Sequence, residues 1–227
     1  MDISEKNRNN IISRWNKIHE VDKEYIRKNS NKFLHLKSRI CGFIAGDGNI
    51  LVDNGSTCRH NTVRFFPDNL SLVKSYGEAI LKVYNKIPKI VEKENYFYMT
   101  LDSKPVVLDL LSYCEFGKME WTIPDFVYES EENKIEWLKS FFDCEAYVNG
   151  KSIVVKSVNG KGLLKVKELV ESFGIETKIY SYNPKNKKWN INYMLYILRK
   201  ESRRKYRDLI GFNHSTKLKK LNIVLQS

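Results

Sequence analysis

The 227-residue chain is expected to fold as an α+β protein of two pseudo-symmetric αββαββα repeats. Three observations lead there. The stretch Ile40-Cys41-Gly42-Phe43-Ile44-Ala45-Gly46-Asp47-Gly48 reads as an apolar helix with two small residues four apart and an acid directly after them. Leu138-Lys139-Ser140-Phe141-Phe142-Asp143-Cys144-Glu145-Ala146 is a partial echo, with Ser140 and Cys144 as the small pair and Glu145 as the acid. Away from these stretches, Leu108-Asp109-Leu110-Leu111 resembles Arg207-Asp208-Leu209-Ile210 at an offset of 99, against 98 for Asp47 and Glu145. Agreement within one residue points to duplication. Residues four apart share a helix face, and small side chains there let two backbones approach closely. Packing the two helices together would bring both acids to the same end of one seam.

The elements follow in order. Residues 1–31 are polar and basic, with Ile11, Ile12, Trp15 and Ile18 at helical spacing, and read as one or two short helices laid on the main body. They either decorate the packing or extend a nucleic-acid footprint. The first repeat, 32–117, opens with a helix over 33–46. A short strand over 49–53 ends at the hairpin signal Asn54-Gly55, and a strand over 58–66 alternates, with Val63 and Phe65 opposite His60, Thr62 and Arg64. A helix over 70–84, strands over 87–93 and 96–101, and a helix from Pro105 to about Cys114 complete it.

A connector over 118–132 carries Trp121-Thr-Ile-Pro124 and an acidic run. The second repeat, 133–227, opens with a helix over 134–144. Strands over 147–149 and 152–157 flank Asn149-Gly150. A helix over 162–173 is stopped by Gly174. Strands over 177–182 and 188–194, a helix over 198–210 and a C-terminal helix over 216–225 follow.

Charge narrows the partners. The chain is +12 overall, but residues 151–227 hold 18 basic and 5 acidic residues, and residues 40–150 are net −6. Such an excess favours a polyanion such as nucleic acid, the plain alternative being a solubility charge. No run reaches about 18 apolar residues, so no membrane span is expected. Met1–Asn10 is polar and partly acidic, unlike a signal or transit peptide, which predicts an intracellular protein that is not secreted. Cys41, Cys58, Cys114 and Cys144 lack C-x-x-C spacing and read as thiols, not as zinc ligands. His19, His35 and His214 form no metal-like cluster and are expected to be at the surface or half-buried.

Two carboxylates at the close-packed end of a helix pair, in a basic protein, suggest a divalent metal site. Magnesium prefers oxygen ligands and often takes one or two carboxylates, with water and substrate phosphate completing its shell. Such a pair would support metal-assisted phosphodiester hydrolysis. Unpaired acids facing a polyanion would repel it, and a cation resolves that conflict. The alternative is two ordinary acids just beyond helix ends.

Residues 40–48 closely resemble the LAGLIDADG motif of homing endonucleases, and residues 138–146 resemble it more loosely; Trp121-Thr-Ile-Pro124 is similar to the connector of two-repeat members. The resemblance spans about residues 33–225. It implies a single-chain pseudo-dimer, monomeric in solution, whose two four-stranded antiparallel sheets form a saddle over double-stranded DNA. It further implies cleavage of both strands across the minor groove at a long asymmetric site, leaving short 3′ overhangs. Asp47 and Glu145 match the metal-binding acids, and the carbonyls of Gly46 and Cys144 match positions that help to hold metal. Mg2+ is the implied cofactor, with Mn2+ able to substitute and Ca2+ supporting binding without cleavage. Ala45 departs from an acid common at the sixth position, and Ala146 from the final glycine.

The family places a lysine after the last helix of each repeat. Lys118 lies 71 residues after Asp47 and Lys217 lies 72 after Glu145, which nominates both to polarise water or stabilise phosphate charge. From strand alternation, His60, Thr62, Arg64, Lys156, Lys178, Tyr180, Tyr182, Asn190 and Asn192 are expected to face DNA. The leading reading is thus a magnesium-dependent site-specific endonuclease. Its rivals are an RNA-binding maturase for a group I intron and a DNA-binding protein without catalysis on the same scaffold. The self-splicing ends of an intein are absent, so a freestanding or intron-encoded protein is expected.

Overall fold

The computed structural model describes residues 3–29, 31–54, 59–184, 186 and 190–226. An N-terminal helix, α1 (Ile3–Asn29), precedes the first repeat: α2 (Leu34–Asp47), β1 (Gly48–Asn54), β2 (Arg59–Phe65), α3 (Leu70–Tyr84), β3 (Lys89–Glu92), β4 (Phe97–Asp102) and α4 (Lys104–Leu111). A 3-10 turn over Asp125–Glu129 leads into the second: α5 (Glu131–Glu145), β5 (Ala146–Asn149), β6 (Ser152–Ser157), α6 (Gly160–Glu171), β7 (Lys178–Tyr182), β8 (Asn192–Ile197), α7 (Lys200–Leu209) and α8 (Ser215–Gln226). The expected order holds in both halves. The sheets are antiparallel, with strand orders β1-β2-β4-β3 and β5-β6-β8-β7. Gly55 and Cys58, and the start of the strand expected from 188, lie outside the described residues. None of the described helices is long and apolar enough to cross a membrane.

Side-chain periodicity explains the elements. Val63 and Phe65 are fully buried, while Leu72, Tyr76, Ile80 and Val83 line one face of α3. The rings of Phe43, Phe65 and Tyr76 pack at tilted angles in the first core, and those of Phe142, Tyr206 and Phe212 in the second. Asn69 and Asn159 occupy matching N-cap positions, accepting from the Ser71 and Gly162 amides and so fixing where α3 and α6 begin.

The N-terminal segment differs from expectation. It is one continuous 27-residue helix with no Gly or Pro to break it. Its C-terminal half is tied down: Asp22 pairs with Lys86 at 2.7 Å and Tyr25 donates to the Lys82 carbonyl. Ile11 and Trp15 stay more than half exposed, so the apolar spacing that promises a packed face is only partly used. The helix rests on α3 and α4.

The helices α2 and α5 form the centre of the molecule. A Cβ added at Gly42 would stand 2.5 Å from both the Ser140 hydroxyl and the Trp137 carbonyl, and one at Gly46 would collide with Cys144. The small pairs therefore face each other across the seam. Trp121 of the connector packs on Phe141 and Trp137, and its carbonyl accepts from Asn159 Nδ2 at 2.8 Å. The connector thus locks one repeat to the other.

Candidate active site

Asp47 is the last residue of α2 and Glu145 the last of α5, each followed at once by a strand. Gly48 is required at the first junction, because a Cβ there would lie 2.6 Å from Ile44 Cα and 2.8 Å from the Arg64 carbonyl. The second junction accommodates the Ala146 methyl, which is buried. Both acids are half-buried. They also stand at helix C-termini, where the partial negative charge of the last carbonyls disfavours an anion.

The electrostatics follow. Burial, reinforced by the neighbouring Asp47, raises the Glu145 carboxyl to about 7. Burial also raises Asp47, while Lys217 and the Cys144 thiol pull it back. Asp143, wholly buried, is raised by desolvation to about 6 although the Asn213 and His214 backbone N–H groups donate to it at 3.2 and 2.9 Å. A concentration of costly negative charge is what a divalent cation would relieve.

The lysines are placed unequally. Lys217 Nζ donates to the Asp143 carbonyl and, at 3.0 Å, to the Cys144 carbonyl. Lys118 is exposed, with no hydrogen bond or ion pair among the described residues. It lines a cleft of about 500 Å³ together with Gly46, Glu145, Lys156 and Asn192. The surroundings of each acid therefore come from distant parts of the chain: Asp47 lies beside Cys144 and feels Lys217, whose charge also reaches Glu145, while Gly46 neighbours Glu145 and Lys118 of the connector lines the same cleft.

Three residues beside the site escape the sequence reading. Asp143 occupies the sixth motif position that Ala45 vacates in the first copy, so position alone could have flagged it. Asp68, one residue before the α3 N-cap, and His214, just before α8, come from opposite repeats and meet at 3.2 Å. His214 is buried, beyond the surface or half-buried position expected of it. No linear pattern marks that pair.

The expected DNA-facing residues fall into two groups. His60, Lys156, Lys178, Tyr180, Tyr182 and Asn190 are exposed, and Asn192 and Arg64 are half-buried. Thr62 is the exception. It is buried, and its hydroxyl donates to Asp102 at 2.5 Å across the β2–β4 ladder, so the alternation that aims it outward leaves it no free hydroxyl. Cys41 and Cys114 are buried free thiols, whereas Cys144 is only partly covered.

Among the described residues no three His, Cys, Asp or Glu side chains gather as a self-sufficient metal cage. The donor set is two carboxylates with nearby backbone carbonyls. It suits a hard cation whose shell is completed by water and substrate phosphate.

Residues 132–211 match the LAGLIDADG-like domain family. Across both repeats the fold is the two-repeat LAGLIDADG fold, seen in the homing endonuclease I-DmoI in complex with DNA and Mn. That likeness has a TM-score of 0.60 and 14% identity, over 78% of this chain and 97% of that one. I-WcaI bound to its DNA recognition sequence matches with a TM-score of 0.56 and 16% identity over 86% of this chain and 91% of that one. Full-length DUF199/WhiA matches with a TM-score of 0.54 and 13% identity over 92% of this chain and 65% of that one. Other I-DmoI complexes were solved with Ca and with Mg. In sequence, the glutamine–fructose-6-phosphate aminotransferase of Methanocaldococcus jannaschii is 23% identical over 82% of this chain, which spans only 17% of that protein's length.

Proposed function

We propose that this chain is a magnesium-dependent, site-specific double-strand DNA endonuclease acting as a monomer, with Asp47 and Glu145 at its two half-sites. One observation carries the reading: two half-buried carboxylates meet at adjoining helix C-termini, flanked by Lys118 of the connector and Lys217 of the second repeat. The two sheets and the segment before β8 supply a surface for a duplex, with exposed Lys156 and Lys178 toward phosphates and Asn190 and the half-buried Asn192 and Arg64 toward base edges.

When bound, Mg2+ would activate a water for in-line attack and stabilise the leaving oxygen. Asp47 and Glu145 would hold it, with the Gly46 and Cys144 carbonyls alongside. The remaining work falls to the chain. The carboxylates repel phosphate unless a cation is shared between them, which couples metal and DNA binding. Lys118 and Lys217 place positive charge where the phosphate becomes more negative. The twin half-sites suit two cuts across one minor groove, with short 3′ overhangs as the expected product.

The decisive experiment is cleavage of a randomised duplex library with Mg2+, with group I intron RNA as competitor. A discrete set of sites cut on both strands is expected. Intron RNA bound far more tightly than every duplex, with no cutting, would turn the reading to a maturase. Selective duplex binding without cutting would leave a DNA-binding protein.

The raised carboxyls add a pH prediction. A carboxyl whose folded value lies above its unfolded one stabilises the fold fully below the unfolded value, and that contribution is lost as pH rises through the folded value. Relative to Glu145→Gln, which cannot ionise there, the metal-free protein should lose stability as pH climbs from the usual carboxylate range to about 7. Mg2+ should restore it and release protons below that pH. Calorimetry in buffers of different ionisation enthalpy reads the release; a buffer-independent heat would contradict it.

A further inference from the structure

The two half-sites share a plan but not their supports. On the Asp47 side, the loop between α7 and α8 is held at several points. Gly211, in the left-handed region at φ +67, turns the chain so that the Asn213 and His214 amides reach Asp143. The Ser71 hydroxyl lies 2.8 Å from the Asn213 carbonyl. His214 Nε2 faces Asp68 at 3.2 Å, and its Nδ1 accepts from the Lys217 amide at 3.4 Å. The outcome is a Lys217 ammonium seated on the Asp143 and Cys144 carbonyls, at the end of the seam.

On the Glu145 side none of the three supports has a counterpart. The motif position of Asp143 is Ala45. The residue before the matching N-cap is Val158 in place of Asp68, and the offset of 99 puts Glu115 at the position of His214. The Glu115 amide donates instead to the Thr122 hydroxyl at 3.1 Å. Lys118 is left exposed at the cleft, without a partner among the described residues.

We propose that Asp143, Asp68 and His214 are positioning residues that seat Lys217, so that the Asp47 half-site is preformed while the Glu145 half-site assembles only on its substrate. The proposal rests on the endonuclease reading for its consequence in catalysis, but the seating of Lys217 is a property of the free protein. A preformed charge avoids the reorganisation that a mobile lysine must undergo. The strand served by the Asp47 half-site is therefore cut first, and a singly nicked duplex accumulates.

Two measurements test this on the full chain. In the metal-free protein, reductive methylation followed by mass spectrometry reads the access of each lysine amine. Lys217 should react about tenfold more slowly than Lys118, and Asp68→Asn should remove most of that difference. Asp68 is a mild site to alter, since its side chain is 59% exposed. With Mg2+ and a duplex labelled on each strand, Asp68→Asn should slow the first nick by between about tenfold and a hundredfold. Cutting of the other strand in a pre-nicked duplex should change less than about twofold, and Asp68→Glu should recover part of the loss. Equal labelling of the two lysines in the wild type would overturn the clamp, and so would an equal slowing of both strands. A wild type that cuts nothing, yet protects Lys217 in an Asp68-dependent way, would refute the endonuclease reading and leave the clamp standing.

Discussion

Glu145→Gln is expected to reduce DNA cleavage by about a thousandfold or more, on the order of 4 kcal/mol of lost transition-state stabilisation. The substitution keeps size and burial but removes the anion. Glu145 is the more informative acid, because its motif copy departs further from the first one. Its carboxyl also sits at about 7, so it depends most on a nearby cation to stay ionised at neutral pH. Duplex binding with Ca2+ should survive, since the sheet residues that meet DNA are untouched. Asp47→Asn should behave in the same way. Full cleavage by the double variant in a Mg2+ assay would end the proposed mechanism.

Gly42→Leu is expected to be the most destabilising substitution in the seam. Even a Cβ would come within 2.5 Å of the Trp137 backbone carbonyl, and backbone cannot rotate away as a side chain can. Overpacking of this kind costs about 3 kcal/mol or more, or about 10 °C in Tm for a domain of this size. Gly77→Ala is the matching control. Gly77 lies inside α3 with open space where its Cβ would go. Relieving backbone entropy there should raise stability by about 0.5–1 kcal/mol. A seam that tolerates leucine without a shift in melting temperature would mean the helices can separate, and with them the acids.

Much of the site was legible in linear order because packing and chemistry share residues. Gly42 and Gly46 had to be small for the helices to meet, and the acids directly follow the small pairs. Lys217 could be reached by counting, because a duplicated fold repeats its offsets. Thr62 shows the limit of alternation: period two aims a side chain at a face but cannot reveal that Asp102, on the neighbouring strand, will take its hydroxyl. Trp15 shows the limit of helical period, since apolar spacing marks a face but not whether another element will cover it.

The sequence by itself determined the two repeats, their element order, the helix pair at the centre and the two acids at its end. All of these depend on residues close in the chain or on the repeat offset. Only the tertiary structure decided that the surroundings of the two acids are unequal. Asp68 and His214 are 146 residues apart and come from different repeats, so their meeting is a product of how the two repeats dock along the α2–α5 seam. The same docking buries Asp143 and turns its carboxylate onto the loop that carries Lys217. A buried charge needs donors from whatever backbone surrounds it, and which backbone that is depends on the assembled seam.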